Sequence, residues 1–116
     1  DFKNEEDLSV LKELVSTTDV LIENYRPGIV KKLGIDYESL SQINPDLIYC
    51  SISGYGQSGP YKEKKVYDPL IQGTVGIPHA QNIKSPELIR TIIYDKVTGL
   101  TSAQAISAAL YQKAKG

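Results

Sequence analysis

A chain of 116 residues holds one domain or part of one, and its 41% hydrophobic content allows a core, though a small one. The net charge of −1 excludes a global field that would recruit nucleic acid or membrane, and a single cysteine, Cys50, excludes an internal disulfide framework. No apolar run is long enough to span a bilayer and no signal peptide is visible, which with the lone cysteine points to a reducing, cytoplasmic setting.

Phe2 reads as the end of a strand. Asn4 caps a first helix, with Glu5, Glu6 and Asp7 in its first turn, where the macrodipole favours acids. Leu8, Leu11, Leu14 and Val15 recur at helical spacing and give one apolar face. Asp19-Val20-Leu21-Ile22-Glu23 follows, and its three consecutive apolar residues suit a short strand buried on both faces of a parallel sheet. Asn24 to Gly28 is a turn at that strand's C-terminal edge, with Pro27 placed to open a helix that Gly34 ends.

Asp36 caps the next helix, Tyr37 to Ile43, which Asn44-Pro45 stops. Leu47 to Ile52 is a second buried strand, with Cys50 as an inert core thiol. Strand, helical crossover, strand is the pattern of an open α/β sheet. The glycine-rich loop Ser53 to Tyr61 lacks both the Gly-Lys-Ser/Thr ending and the GxGxxG spacing of phosphate-binding loops, so its glycines serve turns and close backbone approach. Lys62 to Lys65 is a solvated segment; Asp68 caps a short helix whose first residue is Pro69; Ile77 to Pro86 reads as an exposed loop.

Near the end, the β-branched run Arg90-Thr91-Ile92-Ile93-Tyr94 reads as a strand that gives way to a long helix at Asp95. From Val97 to Gln112 that helix carries no charge, which predicts burial on most sides or tight packing on a partner. Asp95 is then an N-cap or a carboxylate facing a cleft, with helical N–H groups close to it.

The chemistry is bounded by what is scarce. One His and one Cys, far apart, form no metal-ligand cluster, and no serine sits in a nucleophile elbow. His79 falls in a polar loop. Polar residues instead gather after the strands: Asn24, Tyr25 and Arg26, the glycine loop, and Asp95. Ligands of open α/β sheets bind at that edge, where Arg26, Lys31, Lys32 and Lys65 are available to phosphates.

The blocks Glu23-Asn24-Tyr25-Arg26-Pro27-Gly28, Leu33-Gly34, Asn44-Pro45-Asp46-Leu47-Ile48 and Ser51-Ile52-Ser53-Gly54-Tyr55-Gly56-Gln57-Ser58-Gly59-Pro60 resemble, in order and spacing, the family III CoA-transferases, which include the related α-methylacyl-CoA racemases. Tyr67-Asp68 and Asp95 with its helix continue the match. The resemblance implies an open, mainly parallel nucleotide-fold-like sheet with flanking helices. It identifies residues 1–116 as an internal fragment of the first, large domain, in keeping with the abrupt ends at Asp1-Phe2 and Lys115-Gly116.

The resemblance also implies transfer of coenzyme A between carboxylic acids through an aspartyl-CoA intermediate on Asp95. CoA and its acyl esters are then substrates, with no permanent cofactor and no metal, in an interlocked homodimer. Asn24, Tyr25, Lys32, Leu33, Lys65 and Tyr67 match positions lining the family's CoA site, and Arg26 is added for its suitability to phosphate. In the racemases a His stands at the Tyr67 position and shares proton transfer with the Asp. Its absence here favours transfer, since racemisation needs two acid/base groups on opposite faces of a carbon. The Ile93-Tyr94-Asp95 context departs from the Gly-Asp of the transferases and leaves Asp68 as the second carboxylate candidate. The alternatives are an acyl-CoA racemase or, for the isolated fragment, a non-catalytic CoA-binding or interaction module.

Overall fold

The computed structural model describes residues 1–116. The elements run α1 (Glu5–Val15), β1 (Val20–Glu23), α2 (Ile29–Leu33), α3 (Tyr37–Leu40), β2 (Ile48–Ser51), α4 (Asp68–Thr74), α5 (Ile77–Gln81) and α6 (Ile93–Lys115). The chain is α/β: β1 and β2 pair in parallel, Val20 opposite Ile48 and Glu23 opposite Ser51, with α2 and α3 in the crossover.

Local chemistry sets most of these boundaries. The Asn4 side chain accepts from the Glu6 N–H and caps α1. Asp36 caps α3 in the same way, accepting from the N–H and the hydroxyl of Ser39. Gly34 ends α2 at φ +67°, a conformation that costs glycine little. Pro27 precedes α2 rather than opening it, because Gly28 takes the cap position at φ +83°. The regular part of α3 stops at Leu40, and 41–43 continue as turns.

Val15, Val30, Ile35, Leu40 and Leu47 form the core, which α1, α2 and α3 build against the sheet. Phe2, Leu8, Leu11, Leu21, Leu33 and Tyr49 pack around it; Phe2 lies in a turn, not a strand. The Asn44 side chain ties this layer together, its Nδ2 donating to the carbonyls of Val15 (3.0 Å) and Thr18 (2.9 Å).

The sheet is less enclosed than its apolar run suggests. Ile22 is 57% exposed, the buried residue of β1 is Glu23, and Cys50 is only half-buried. Apolar residues at both faces do not by themselves supply a second covering layer.

The charge-free segment does form a helix, α6, with 23 residues, but no residue of it is buried in this chain. It packs on β2 and α4, and Ser102, Ile106 and Ala109 make a half-buried stripe spaced i, i+4, i+7. Leu100 and Tyr111 remain exposed. No strand forms at 90–94. A strand needs a neighbour to pair with, and the segment instead enters α6 at Ile93. The 77–86 loop contains α5, whose start carries Gly76 at φ +79° and a Pro in the first turn.

The chain is elongated, 55 × 36 × 24 Å, with a radius of gyration of 17.5 Å. A compact domain of this length has about 13 Å. Only eight residues are buried, so much apolar surface of the helices is left uncovered.

Candidate functional site

One cleft of about 580 Å³ opens at the C-terminal edge of the two strands, where parallel α/β sheets bind ligands. Its walls are the turn after β1 (Asn24, Tyr25, Arg26, Pro27), the loop after β2 (Ile52, Ser53, Gly54), the approach to and first turn of α4 (Val66, Tyr67, Asp68, Ile71), and the start of α6 (Tyr94, Asp95, Thr98). Lys62 and Lys64 close one flank.

Glu23 organises the strand edge. Its carboxylate accepts from the Ser51 hydroxyl on the neighbouring strand and, at 2.7 Å, from the Tyr25 N–H. Gln57 reaches back from the glycine loop and donates to Ser51 Oγ at 2.6 Å. The Ile52 N–H donates to the Glu23 carbonyl and extends the ladder by one bond. A buried carboxylate is costly unless hydrogen-bonded, and here those bonds fix the direction in which Asn24-Tyr25-Arg26 leaves the sheet.

The opposite wall depends on Asp68. This residue is the first of α4, but its carboxylate serves another helix. Oδ2 accepts from the N–H groups of Tyr94 (2.6 Å) and Asp95 (3.1 Å), at the start of α6. Oδ1 accepts from Gln72 Nε2 at 2.7 Å. Partial burial pushes the Asp68 carboxyl up, but the bonds from Gln72 and from the N–H groups of Asp95, Tyr94 and Ile93 outweigh it and hold its pKa below the ordinary value. Both oxygens are therefore engaged.

Asp95 is the third residue of α6, exposed at the cleft. The cap position belongs to Ile92, which makes no side-chain cap bond, so Asp95 is neither an N-cap nor at a strand–helix junction. The helical N–H groups expected near its carboxylate are those that Asp68 already occupies.

Of the residues singled out from sequence, the cleft brings together Asn24, Tyr25, Arg26, Tyr67 and Asp95, with Asp68 beside them. Lys32, Leu33 and Lys65 are not in its lining: Leu33 packs on the core, Lys32 is exposed, and Lys65 is exposed between the lining residues Lys64 and Val66. His79 sits in the last turn of α5, away from the cleft. Sequence reasoning did not assign Glu23, Gln72, Lys62 or Lys64 to the site. The basic Lys62–Lys65 run was the signal for the two lysines. Nothing local marks Glu23 or Gln72, whose partners lie 28 and 17–19 residues away. No group of His, Cys, Asp and Glu is arranged to hold a metal ion.

Comparison with known proteins gives one family. CoA-transferase family III matches residues 1–116. The chain is 42% identical to a succinate–glutarate CoA-transferase of Agrobacterium fabrum, over 95% of this chain and 28% of that protein. It is 40% identical to a formyl-CoA:oxalate CoA-transferase of Rhodopseudomonas palustris, over 97% of this chain and 27% of that one. The crystal structure of a CAIB/BAIF family protein from Brucella suis superposes with a TM-score of 0.89 at 45% identity, covering 99% of this chain and 31% of that chain. The chain thus spans between about a quarter and a third of the length of these relatives.

Proposed function

Because the chain belongs to CoA-transferase family III, we propose that it supplies the nucleophile and part of the CoA-binding wall of an enzyme that moves coenzyme A between carboxylic acids. The observation that carries this reading is the gathering of Asn24, Tyr25, Arg26, Tyr67 and Asp95 around one cleft at the sheet edge.

The chemistry runs through Asp95. A carboxylate oxygen of Asp95 attacks the thioester carbonyl of the donor, the C–S bond breaks, and CoA leaves as thiolate from a mixed anhydride. The thiolate attacks the Asp95 carbonyl, releasing the donor acid as its carboxylate and leaving an aspartyl-CoA thioester. The acceptor carboxylate attacks that thioester, CoA leaves again, and a second anhydride forms. The thiolate then takes the acceptor's acyl carbon and frees Asp95. Two easier exchanges replace one difficult one, and every proton and electron pair is accounted for within the reactants.

Two carboxylates border the cleft, and their engagement separates them. Asp68 is committed to hydrogen bonds on both oxygens, whereas Asp95 is exposed to the cleft. That supports Asp95 as the attacking group. Tyr67, 72% exposed, offers a phenol where a racemase requires a base of near-neutral pKa, which supports transfer over racemisation. Arg26, Lys62 and Lys64 make one flank cationic and suit the phosphates of CoA.

As to the whole assembly, we read residues 1–116 as part of the large domain of a homodimeric enzyme. The uncovered apolar positions of α6, such as Val97, Leu100 and Tyr111, support a covering partner or domain. A cytoplasmic location fits the lone cysteine, and no helix is long and apolar enough to cross a membrane.

The test is chemical trapping in the full-length protein. Incubation with an acyl-CoA and quenching with hydroxylamine or borohydride should mark a peptide containing Asp95. Asp95→Asn should stay folded and lose at least ~10³-fold in kcat, the order seen when a covalent nucleophile is removed. Near-normal turnover of folded Asp95→Asn, or a label placed on Asp68, overturns the reading.

A further inference from the structure

We propose that Gln72, acting with Asp68, is a positioning residue that holds the first turn of α6 and with it the Asp95 carboxylate. The inference rests on the reading of Asp95 as nucleophile and adds to it a residue outside the cleft lining.

Gln72 is only 1% exposed, although it is an uncharged amide on a short surface helix. Its Nε2 donates to Asp68 Oδ1 (2.7 Å) and to the carbonyls of Ile89 and Thr91 (3.2 Å each). Its Oε1 accepts from the Ile89 N–H at 2.8 Å. The amide orientation is fixed by this pattern, because a flip would set the oxygen against three acceptors. One side chain thus grips the irregular segment that leads into α6. One turn earlier on the same helix face, Asp68 grips the α6 N–H groups themselves.

The grip matters because α6 begins without a cap of its own. Ile92 cannot cap, so the first N–H groups have no side-chain acceptor except Asp68. Asp95 lies within that turn. If the turn frays, the nucleophile moves, and a shift of about 1 Å in a reacting group can cost ~10²-fold in rate. CoA anchoring, by contrast, falls to the Arg26 and lysine flank, which Gln72 does not touch.

The pair therefore predicts a split between chemistry and binding. In the full-length protein, Gln72→Met keeps the length of the side chain and removes its hydrogen bonds. We expect amide exchange at Tyr94 and Asp95 to accelerate ~10-fold or more, with α1 and the strands unchanged. We expect kcat to fall ~10- to 100-fold with KM for the CoA ester within about twofold. Asp68→Asn should behave likewise, and the double variant should lose little more than either single one, as residues acting in one unit do. Should Gln72→Met not fold, Asp68→Asn carries the same readouts.

Wild-type kcat despite faster exchange would make the pair merely structural and overturn the proposal, as would unchanged exchange or a loss confined to KM. A wild type without CoA-transfer activity overturns the functional reading instead, and the exchange at Tyr94 and Asp95 still decides whether the pair holds the turn.

Discussion

Gly54 and Val66 meet so closely that a Cβ on Gly54 would overlap the Val66 side chain. Both residues line the cleft, so the contact brings the loop after β2 against the approach to α4. Gly54, unlike Gly56 and Gly59, does not have positive φ. Its lack of a side chain serves approach, not backbone freedom. Gly54→Ala should cost about 1–3 kcal/mol, the range for overpacking, read as a lower urea midpoint. Adding Val66→Ala should recover part of that loss, and additive effects of the two changes would disprove the contact's role.

Arg26 tests the cationic flank. If it anchors a CoA phosphate, Arg26→Ala in the full-length protein should raise KM for CoA esters about 10-fold and leave kcat within about twofold. One charge-assisted hydrogen bond is worth about 1.5–3 kcal/mol, and uniform binding appears in KM. A collapsed kcat with unchanged KM would move Arg26 into the chemistry.

Asp36 makes stability depend on acid. Burial pushes its carboxyl up, but hydrogen bonds from the Ser39 hydroxyl and the Ser39 N–H outweigh it and hold the pKa below the ordinary value. A depressed folded pKa contributes stability that is fully present above the unfolded value of about 3.9 and is lost as pH falls through the lower folded one. Asp36→Asn should therefore be less stable than wild type near neutrality, with the gap closing below about pH 4. A gap independent of pH in urea titrations would contradict this.

Tyr49 gives the opposite sign. Its hydroxyl donates to the Ile35 carbonyl at 2.9 Å, and burial, reinforced by the negative charges of Glu23, Asp36 and Glu38, pushes its pKa up to about 12. Its contribution is fully present below the unfolded value of about 10 and is lost as pH rises through about 12. Ultraviolet titration should show a late-ionising phase that Tyr49→Phe removes. The same variant should cost about 1–3 kcal/mol by leaving the Ile35 carbonyl unpaired.

Elements governed by local chemistry could be read from sequence. Asn4, Gly34 and Asp36 mark helix ends by capping or by φ, and the apolar runs at Val20–Ile22 and Leu47–Ile48 mark two strands in parallel. The placing of Asn24, Tyr25 and Arg26 at the sheet edge could be read because β1 ends just before them; Asp95 borders the same cleft without the strand expected ahead of it. What escaped is long-range. Asp68 looked like a cap for its own helix and instead caps α6, 26 and 27 residues on. The β-branched run before Asp95 had strand propensity but no strand beside it. Absence of charge in α6 predicted burial, yet its many Ala, Ser and Thr side chains bury little within this chain.

Helix α6 is fastened at both ends. Asp68 holds its first turn, and Lys113 near its last residue donates to Asp19 Oδ1 (3.0 Å) and the Asp46 carbonyl (2.9 Å), just ahead of β1 and β2. The 23 residues rise about 35 Å and fix the phase between these ends. Substituting exposed Leu100 or Tyr111 leaves that phase intact. Deleting one residue between them turns one end by about 100° against the other and shortens the span by about 1.5 Å. Either Lys113 then leaves Asp19, or Asp95 swings off the mouth of the cleft. The helix is thus a gauge whose composition can drift while its residue count cannot.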